Sequence, residues 1–303
     1  MIAYTETDEP NKLPQKTLVL GGVNGLLGRA VVAALTAAGG EVLAVSSADL
    51  DYFDADDLDD YLDEHEPDCI VNAVAYTQVD KAEDEPEEAY RLNASLPALI
   101  GVLAEERDIR LVHYSTDFVF DGAKGAPYTP VDPTNPLSVY GASKLAGEET
   151  LLELELSELL ILRTAWLFGP GKMNFVRRML DLAAERPELK VVADQFGSPT
   201  YTPDLAALTV ALLKNGATGI LHAANADQAS WHELASAAIE LAGLNCPVLP
   251  IPTSGYPTRA TRPANSVLDL ADTARAAGYT PRPWREALAE YIADQQAVKT
   301  TQP

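Results

Sequence analysis

Two rhythms of apolar and polar positions alternate along the first half of the chain. Thr17-Leu18-Val19-Leu20 is a short continuous apolar run ending at Gly21-Gly22, the mark of a strand buried on both faces. Leu26–Ala38 then carries helix-forming residues and stops at Gly39-Gly40, which serves as a C-terminal cap. The succession repeats, with strands over Glu41–Ser46, Cys69–Val74, Ile109–Ser115 and Leu159–Arg163. Helices fall between them over Asp56–Glu64, Pro86–Arg107 and Val139–Glu155. This spacing predicts βαβ units with right-handed crossovers, hence an α/β fold built on a doubly wound parallel sheet.

The alternation breaks down after about residue 165, where Gly169-Pro170-Gly171, Ser198-Pro199 and the prolines from Pro247 to Pro263 punctuate the chain. Residues 1–16 are therefore expected to form a flexible tail, and residues 17–165 the sheet domain. Segments at about 196–225 and 264–275 return to that domain. The rest of 166–303 forms a smaller, interleaved lobe over the carboxyl ends of the strands, where ligands of open α/β sheets bind.

Composition narrows the classes. Among 303 residues, 45 Asp and Glu outnumber 22 Lys and Arg, a net charge of −23 that speaks against nucleic-acid binding. No apolar stretch approaches the ~20 residues of a membrane span. Hydrophobic residues make up 47%, enough for a packed core rather than a disordered chain. The acidity fits either a salt-adapted host or a well-solvated surface. Cys69 and Cys246 are too far apart in sequence to suggest a disulfide framework or a zinc site, and Cys69 sits in an apolar run. Met1–Pro14 has no apolar core segment, so a signal peptide is not expected and a cytoplasmic enzyme is.

The first strand runs into Gly22-Val23-Asn24-Gly25-Leu26-Leu27-Gly28 and then a helix. Glycines at this spacing permit a tight turn and a close approach of backbone to a pyrophosphate resting on the helix amides. This marks residues 17–165 as a dinucleotide-binding domain, while the phosphate-loop pattern ending in Gly-Lys-Ser/Thr is absent. An acidic residue after the second strand would bind the adenosine ribose. Asp49 and Asp51 are the candidates, with Tyr52 beside the adenine. No Arg or Lys follows Ser46-Ser47, which tilts the cofactor towards NADH, although Ser46 and backbone donors suit the phosphate of NADPH too. Small residues in Asn72-Ala-Val-Ala75-Tyr76-Thr77 would let the cofactor pass over the third strand.

Ser115-Thr116-Asp117 ends the fourth strand, and Tyr140 and Lys144 share one face of a later helix at i, i+4 spacing. A phenol with a pKa of ~10 needs its phenolate stabilised by several kcal/mol to give up a proton near neutrality, which a neighbouring ammonium supplies. The Thr116 hydroxyl would hold the reacting oxygen. The four histidines do not cluster, and Trp231-His232-Glu233 lacks the second His of a zinc helix, so no metal ligand is assigned. No Gly-x-Ser-x-Gly elbow is present.

From Thr17 onwards the chain resembles the dTDP-4-dehydrorhamnose reductase family of the extended short-chain dehydrogenase/reductase superfamily. The resemblance is carried by Asn72–Glu83, His113–Gly122, Tyr140–Glu148, Arg163–Trp166, Asp194–Thr200 and Arg262–Ser266. It implies a Rossmann-like sheet and NAD(P)H-dependent reduction of the C4 ketone of a dTDP-linked deoxysugar. Tyr140 would give the proton, Lys144 would bind the nicotinamide ribose and tune Tyr140, and Thr116 would complete the triad. Gly22, Asn24, Gly25, Leu26 and Leu27 would contact the pyrophosphate. Ser46, Asp51 and Tyr52 would meet the adenosine end, and Ala75, Tyr76 and Thr77 the middle. Thr116, Asp117, Trp166, Arg262 and Asn265 would bind the sugar nucleotide. Lys172, Arg177, Arg178, Arg259 and Arg262, all in the second lobe, would supply the cations that its diphosphate requires.

Two departures stand out: Leu26 where the family carries Gln, and Tyr76 where it commonly carries His. Some members hold Mg²⁺ through interface carboxylates, for which no matching position is found here, and a homodimer is compatible with the resemblance. A nucleotide-sugar epimerase or dehydratase shares the fold and the Tyr/Lys pair. A non-catalytic regulatory subunit of methionine adenosyltransferase shares the branch but would show no turnover.

Overall fold

The computed structural model describes residues 12–301. Six parallel strands form the main sheet: β1 (Lys16–Leu20), β2 (Glu41–Val45), β3 (Cys69–Asn72), β4 (Arg110–Thr116), β5 (Leu159–Thr164) and β6 (Gly219–His222). Their order is β6-β5-β4-β3-β1-β2. Chain direction across the sheet reverses between β1 and β3, so the turns that follow these two strands open side by side. That is where a doubly wound sheet leaves room for a ligand.

Alternation along the strands sends neighbouring side chains to opposite faces. Val19, Val71 and Val112 pack with Val31 and Leu35 of α1 (Leu26–Ala37) and with Leu205 and Leu212. Leu18, Leu20, Ile70 and Leu111 pack on the other face with Leu58 and Leu62 of α2 (Ala55–His65) and Ile100 of α3 (Leu96–Glu106). Both faces are buried, which is why the strands read as unbroken apolar runs.

Three local expectations are corrected. Residues 1–11 of the expected flexible tail lie outside the described residues, but Leu13 packs on the core, and the Lys16 amide donates to Asp68 Oδ2 (2.8 Å). The sheet domain thus takes in residues before 17. The single helix expected over Pro86–Arg107 is instead a short helix Pro86–Tyr90, a wide π turn over Arg91–Ser95, and α3. Pro97 has no N–H to donate to the carbonyl of residue 93, so the α pattern breaks there. The third strand ends at Asn72, whose Oδ1 accepts from the Val74 amide (3.1 Å) and turns the chain out of the sheet. The sixth strand, β6, has no counterpart among the strands expected from the apolar pattern. It is four residues long, entered through Gly219 at φ +81°, and is placed by pairing with β5 rather than by any local period.

Helix α4 (Val139–Glu153) runs back beneath the β4 end. Its first turn is held by Ser138 Oγ, which accepts from the Gly141 amide (3.1 Å), and by Glu83 Oε1, which accepts from the Val139 amide (2.8 Å). The second lobe contains α5 (Phe175–Glu185), α6 (Thr202–Lys214), α7 (Trp231–Leu241) and α8 (Trp284–Thr301). Of these, α6 belongs by its packing to the sheet domain rather than to the lobe, since Leu205, Leu208 and Leu212 lie in one core with Val31 and Leu35 of α1. The lobe keeps its own apolar cluster around Phe168, Val176, Leu234, Trp284, Leu288 and Tyr291. Among the described residues no helix is long and apolar enough to cross a membrane.

Candidate active site

A cleft of about 970 Å³ lies between the carboxyl ends of the strands and the second lobe. Gly25, Leu26 and Leu27 form one wall. The turn is built tightly: a Cβ on Gly25 would stand 2.7 Å from the Gly21 carbonyl oxygen, and one on Gly28 would run into the same atom. No side chain caps α1, so its first amides remain available to an anion. Gly22 packs below the turn against Val19 and Val32, and Asn24 is exposed beside it; neither lines the cleft.

Past β2, the chain folds onto itself. The Ser46 amide and hydroxyl both donate to Asp49 Oδ2 (2.9 and 2.6 Å), holding that carboxyl below its ordinary pKa. Asp51 instead accepts from the Phe53 amide (3.1 Å) at an exposed turn, and Tyr52 is buried among Leu50, Leu58 and Leu62. Of the acidic candidates, Asp49 therefore lies against the strand end, and none of Ser46, Asp49, Asp51 and Tyr52 lines the cleft.

Ala75 and Thr77 line the cleft, whereas Tyr76 turns away from it. Its phenol donates to Glu85 Oε2 (2.7 Å), and its backbone N–H and C=O are both bonded to the Asn93 side chain (2.9 and 3.1 Å). Asn93 sits in the π turn and also donates to Ser143 Oγ on α4 (3.0 Å). The widened turn thus ties the post-β3 loop to α4. The expectation of a Tyr76 side chain beside the cofactor is corrected by this packing.

Thr116 at the end of β4, Asp117 in the turn that follows it, and Tyr140 and Lys144 on α4 meet in the same cleft. Thr116 Oγ1 donates to Asp117 Oδ1 (3.1 Å) and accepts from the Phe118 amide (3.2 Å). Burial pushes the Asp117 carboxyl up to about 7, against hydrogen bonds from Ser266 (2.5 Å) and Thr116 that favour its charge. Burial pushes the Tyr140 phenol up to about 12; a hydrogen bond with Thr116 opposes the rise and the Asp117 charge adds to it. Lys144 is 1% exposed, and burial brings it down to about 8 against the pull of Glu148. Its Nζ donates to the Tyr114 carbonyl (2.5 Å) and lies 3.2 Å from His113 Nε2. The i, i+4 spacing puts Tyr140 and Lys144 on one wall, but these hydrogen bonds of Lys144 go to β4, not to the phenol.

Trp166 adopts the left-handed φ of +46° and stacks on Trp231 with ring centroids 3.5 Å apart, an arrangement for which Gly197 leaves the space. Both indoles line the cleft. Arg262 lines it too, with its guanidinium gripped by Asp80 (2.6 and 3.0 Å). Asn265 does not: its Oδ1 accepts from the Val267 amide (3.1 Å). Lys172, Arg178, Arg186 and Lys190 add positive charge to the wall. Arg177 instead pairs with Asp181 (3.0 Å), and Arg259 with Asp84. Sequence reasoning assigned no part to Ser266, Glu83, Asn93 or His113; their partners are 17 to 149 positions away, out of reach of any local pattern. Among the described residues no group of three or more His, Cys, Asp or Glu is arranged to hold a metal.

Residues 15–297 match the family model described as RmlD substrate binding domain. The dTDP-4-dehydrorhamnose reductase of Aggregatibacter actinomycetemcomitans is 40% identical over 284 residues, covering 89% of this chain and 96% of that one. The dTDP-4-keto-6-deoxy-D-glucose reductase of Streptomyces niveus is 40% identical over 271 residues, covering 89% and 94%. The crystal structure of dTDP-4-dehydrorhamnose reductase from Bacillus anthracis in complex with NADP superimposes with a TM-score of 0.88 at 33% identity, covering 93% of this chain and all of that one. With the glycine turn, the Thr116, Tyr140 and Lys144 side chains and the second lobe in one cleft, the chain belongs to the dTDP-4-dehydrorhamnose reductase family.

Proposed function

We propose that this NAD(P)H-dependent oxidoreductase reduces the C4 ketone of dTDP-4-dehydro-L-rhamnose to the alcohol of dTDP-L-rhamnose. The observation that carries the reading is the meeting of Thr116, Tyr140 and Lys144 in a cleft that opens onto the glycine turn. The turn suits a nicotinamide dinucleotide because a side chain at Gly25 or Gly28 would fill the space its backbone leaves. When bound there, the nicotinamide supplies the hydride.

The protein's own residues manage the proton. Tyr140 stays protonated until charge develops on the C4 oxygen, then donates to it. Thr116 holds the same oxygen by a second hydrogen bond. The Lys144 ammonium stabilises the phenolate left behind, and solvent returns the proton. Donors fixed in a partly dry site act most strongly on charge that appears only in the transition state. Trp166 and Trp231 offer a flat apolar wall to the sugar, and Lys172, Arg178 and Arg186 offer cations to the diphosphate. The Asp49 carboxylate at the β2 end favours NADH, because a like charge disfavours a 2′-phosphate.

Purified protein with enzymatically made dTDP-4-dehydro-L-rhamnose and either nicotinamide, followed at 340 nm, tests the reading. Oxidation of NADH or NADPH supports it. No oxidation with either defeats it and returns the regulatory-subunit reading. The Streptomyces niveus relative makes dTDP-4-keto-6-deoxy-D-glucose the second substrate to offer, and a higher kcat/KM on it would reassign the sugar.

A further inference from the structure

Lys144 lies against a buried polar pair that the reaction as described does not use. His113, on β4, is fully buried, with Nε2 3.2 Å from Lys144 Nζ and Nδ1 3.2 Å from Asn72 Nδ2. Asn72 and His113 are register partners on β3 and β4. The Asn72 amide is oriented by its other end, since Oδ1 accepts from the Val74 N–H (3.1 Å). It is therefore the NH₂ group that faces the ring.

An NH₂ group only donates, so His113 Nδ1 must accept. The single hydrogen of a neutral imidazole then sits on Nε2, aimed at Lys144. The ring is neutral because burial, then the Lys144 charge, drive its pKa well below the ordinary value. An N–H aimed at Nζ suits an amine, which has a lone pair to accept it, and opposes an ammonium, which has none. The Tyr114 carbonyl accepts from either form and does not discriminate.

We propose that Asn72 and His113 are positioning residues that favour the amine form of Lys144 and so set the upper pH limit of the Tyr140–Lys144 proton-delivering pair. This rests on the reading of Tyr140 as proton donor with Lys144 as its cation. Other ionisable groups around the lysine are few. Glu148, one turn further along α4, favours the ammonium but is itself gripped by Arg163 of β5 (2.6 Å). Tyr140 lies one turn back on α4, and Asp117, past the β4 end, acts on that phenol. Lys144 is thus the first member of the catalytic set to lose its proton as pH rises, and the His113 N–H brings that loss to lower pH.

The test has two arms. The full chain labelled with ¹⁵N-histidine, at a pH above the loss of the Lys144 proton, reports the His113 tautomer through its ring couplings, assigned by contacts with the Lys144 side chain. A hydrogen on Nε2 is expected. A hydrogen on Nδ1 overturns the proposal, whether or not the protein turns over any sugar. The second arm is the pH profile of kcat/KM in His113→Gln, whose amide can rotate to offer Lys144 a carbonyl. The alkaline limb should move up by about one pH unit, the roughly tenfold change of one good hydrogen bond. An unmoved limb overturns the proposal, and if the variant does not fold the tautomer decides alone. Absence of NAD(P)H oxidation in the unaltered protein would instead sink the reductase reading.

Discussion

Asp80 and Arg262 stand 182 residues apart and meet at the rim of the cleft, the guanidinium Nη2 2.6 Å from one carboxylate oxygen and Nη1 3.0 Å from the other. The same carboxylate accepts from the Ala260 amide (3.0 Å), so the segment carrying Tyr256, Thr258 and Arg262 is moored to the sheet domain. Asp80→Ala should release that segment, raising KM for the nucleotide sugar by up to about fivefold with kcat little changed. That is the ~1 kcal/mol scale of a partly exposed ion pair. Steady-state kinetics in both substrates would show it, and a fall in kcat at constant KM would contradict the mooring role.

Tyr140→Phe removes one oxygen and leaves the ring edge that packs on Phe118, centroids 5.7 Å apart. The variant should bind nicotinamide as before and lose about 100- to 10,000-fold in kcat, the usual range for a missing general acid. Cofactor fluorescence titration beside turnover separates the two effects. Turnover at the original rate would remove Tyr140 as the acid.

The buried Asp117 carboxyl, pushed up to about 7 chiefly by burial, gives stability a sign that can be checked. Its folded-state pKa lies above the unfolded value, so the folded protein binds more protons between about 4 and about 7. Its contribution to stability is present in full below that window and is lost as pH rises through it. Thermal melts across pH 4 to 7 should therefore show Asp117→Asn gaining on the unaltered protein as pH increases. A difference that stays flat with pH would mean that Asp117 is ionised throughout.

Asp49 faces the end of β2 with both Ser46 donors on its Oδ2. Removing the charge in Asp49→Asn should shift the ratio of kcat/KM for NADPH over NADH upward by up to about tenfold. The same change at Asp51, whose carboxylate is turned to the Phe53 amide, should leave the ratio where it was. Parallel assays with the two cofactors decide between the two carboxylates.

Much of the site was legible because it is local. The glycine turn, the hydroxyl at the end of β4 and the Tyr140–Lys144 spacing each lie within a few residues of a strand end or a helix start, where backbone geometry is set by near neighbours. Tyr76 shows the limit. Its neighbours Ala75 and Thr77 face the cleft, yet its own direction is decided by Asn93 and Glu85, which nothing near residue 76 announces. The π turn that brings Asn93 there was hidden inside an apolar helical pattern, although Pro97 marked the break.

By itself, the sequence determined the strand and helix rhythm, the glycine bend and the residue types of the proton-transfer set, all consequences of short-range sterics and periodicity. Tertiary structure alone decided that Arg262 is spoken for by Asp80, that Asp117 is held by Ser266, and that Lys144 rests on Tyr114 and His113 rather than on the phenol. Those outcomes depend on which charges and hydrogen-bonding groups the folded sheet and a returning lobe bring within hydrogen-bonding reach of each other. Burial then raises the pKa of the Asp117 carboxyl and lowers that of the Lys144 amine, and a linear string of residues carries no burial of its own.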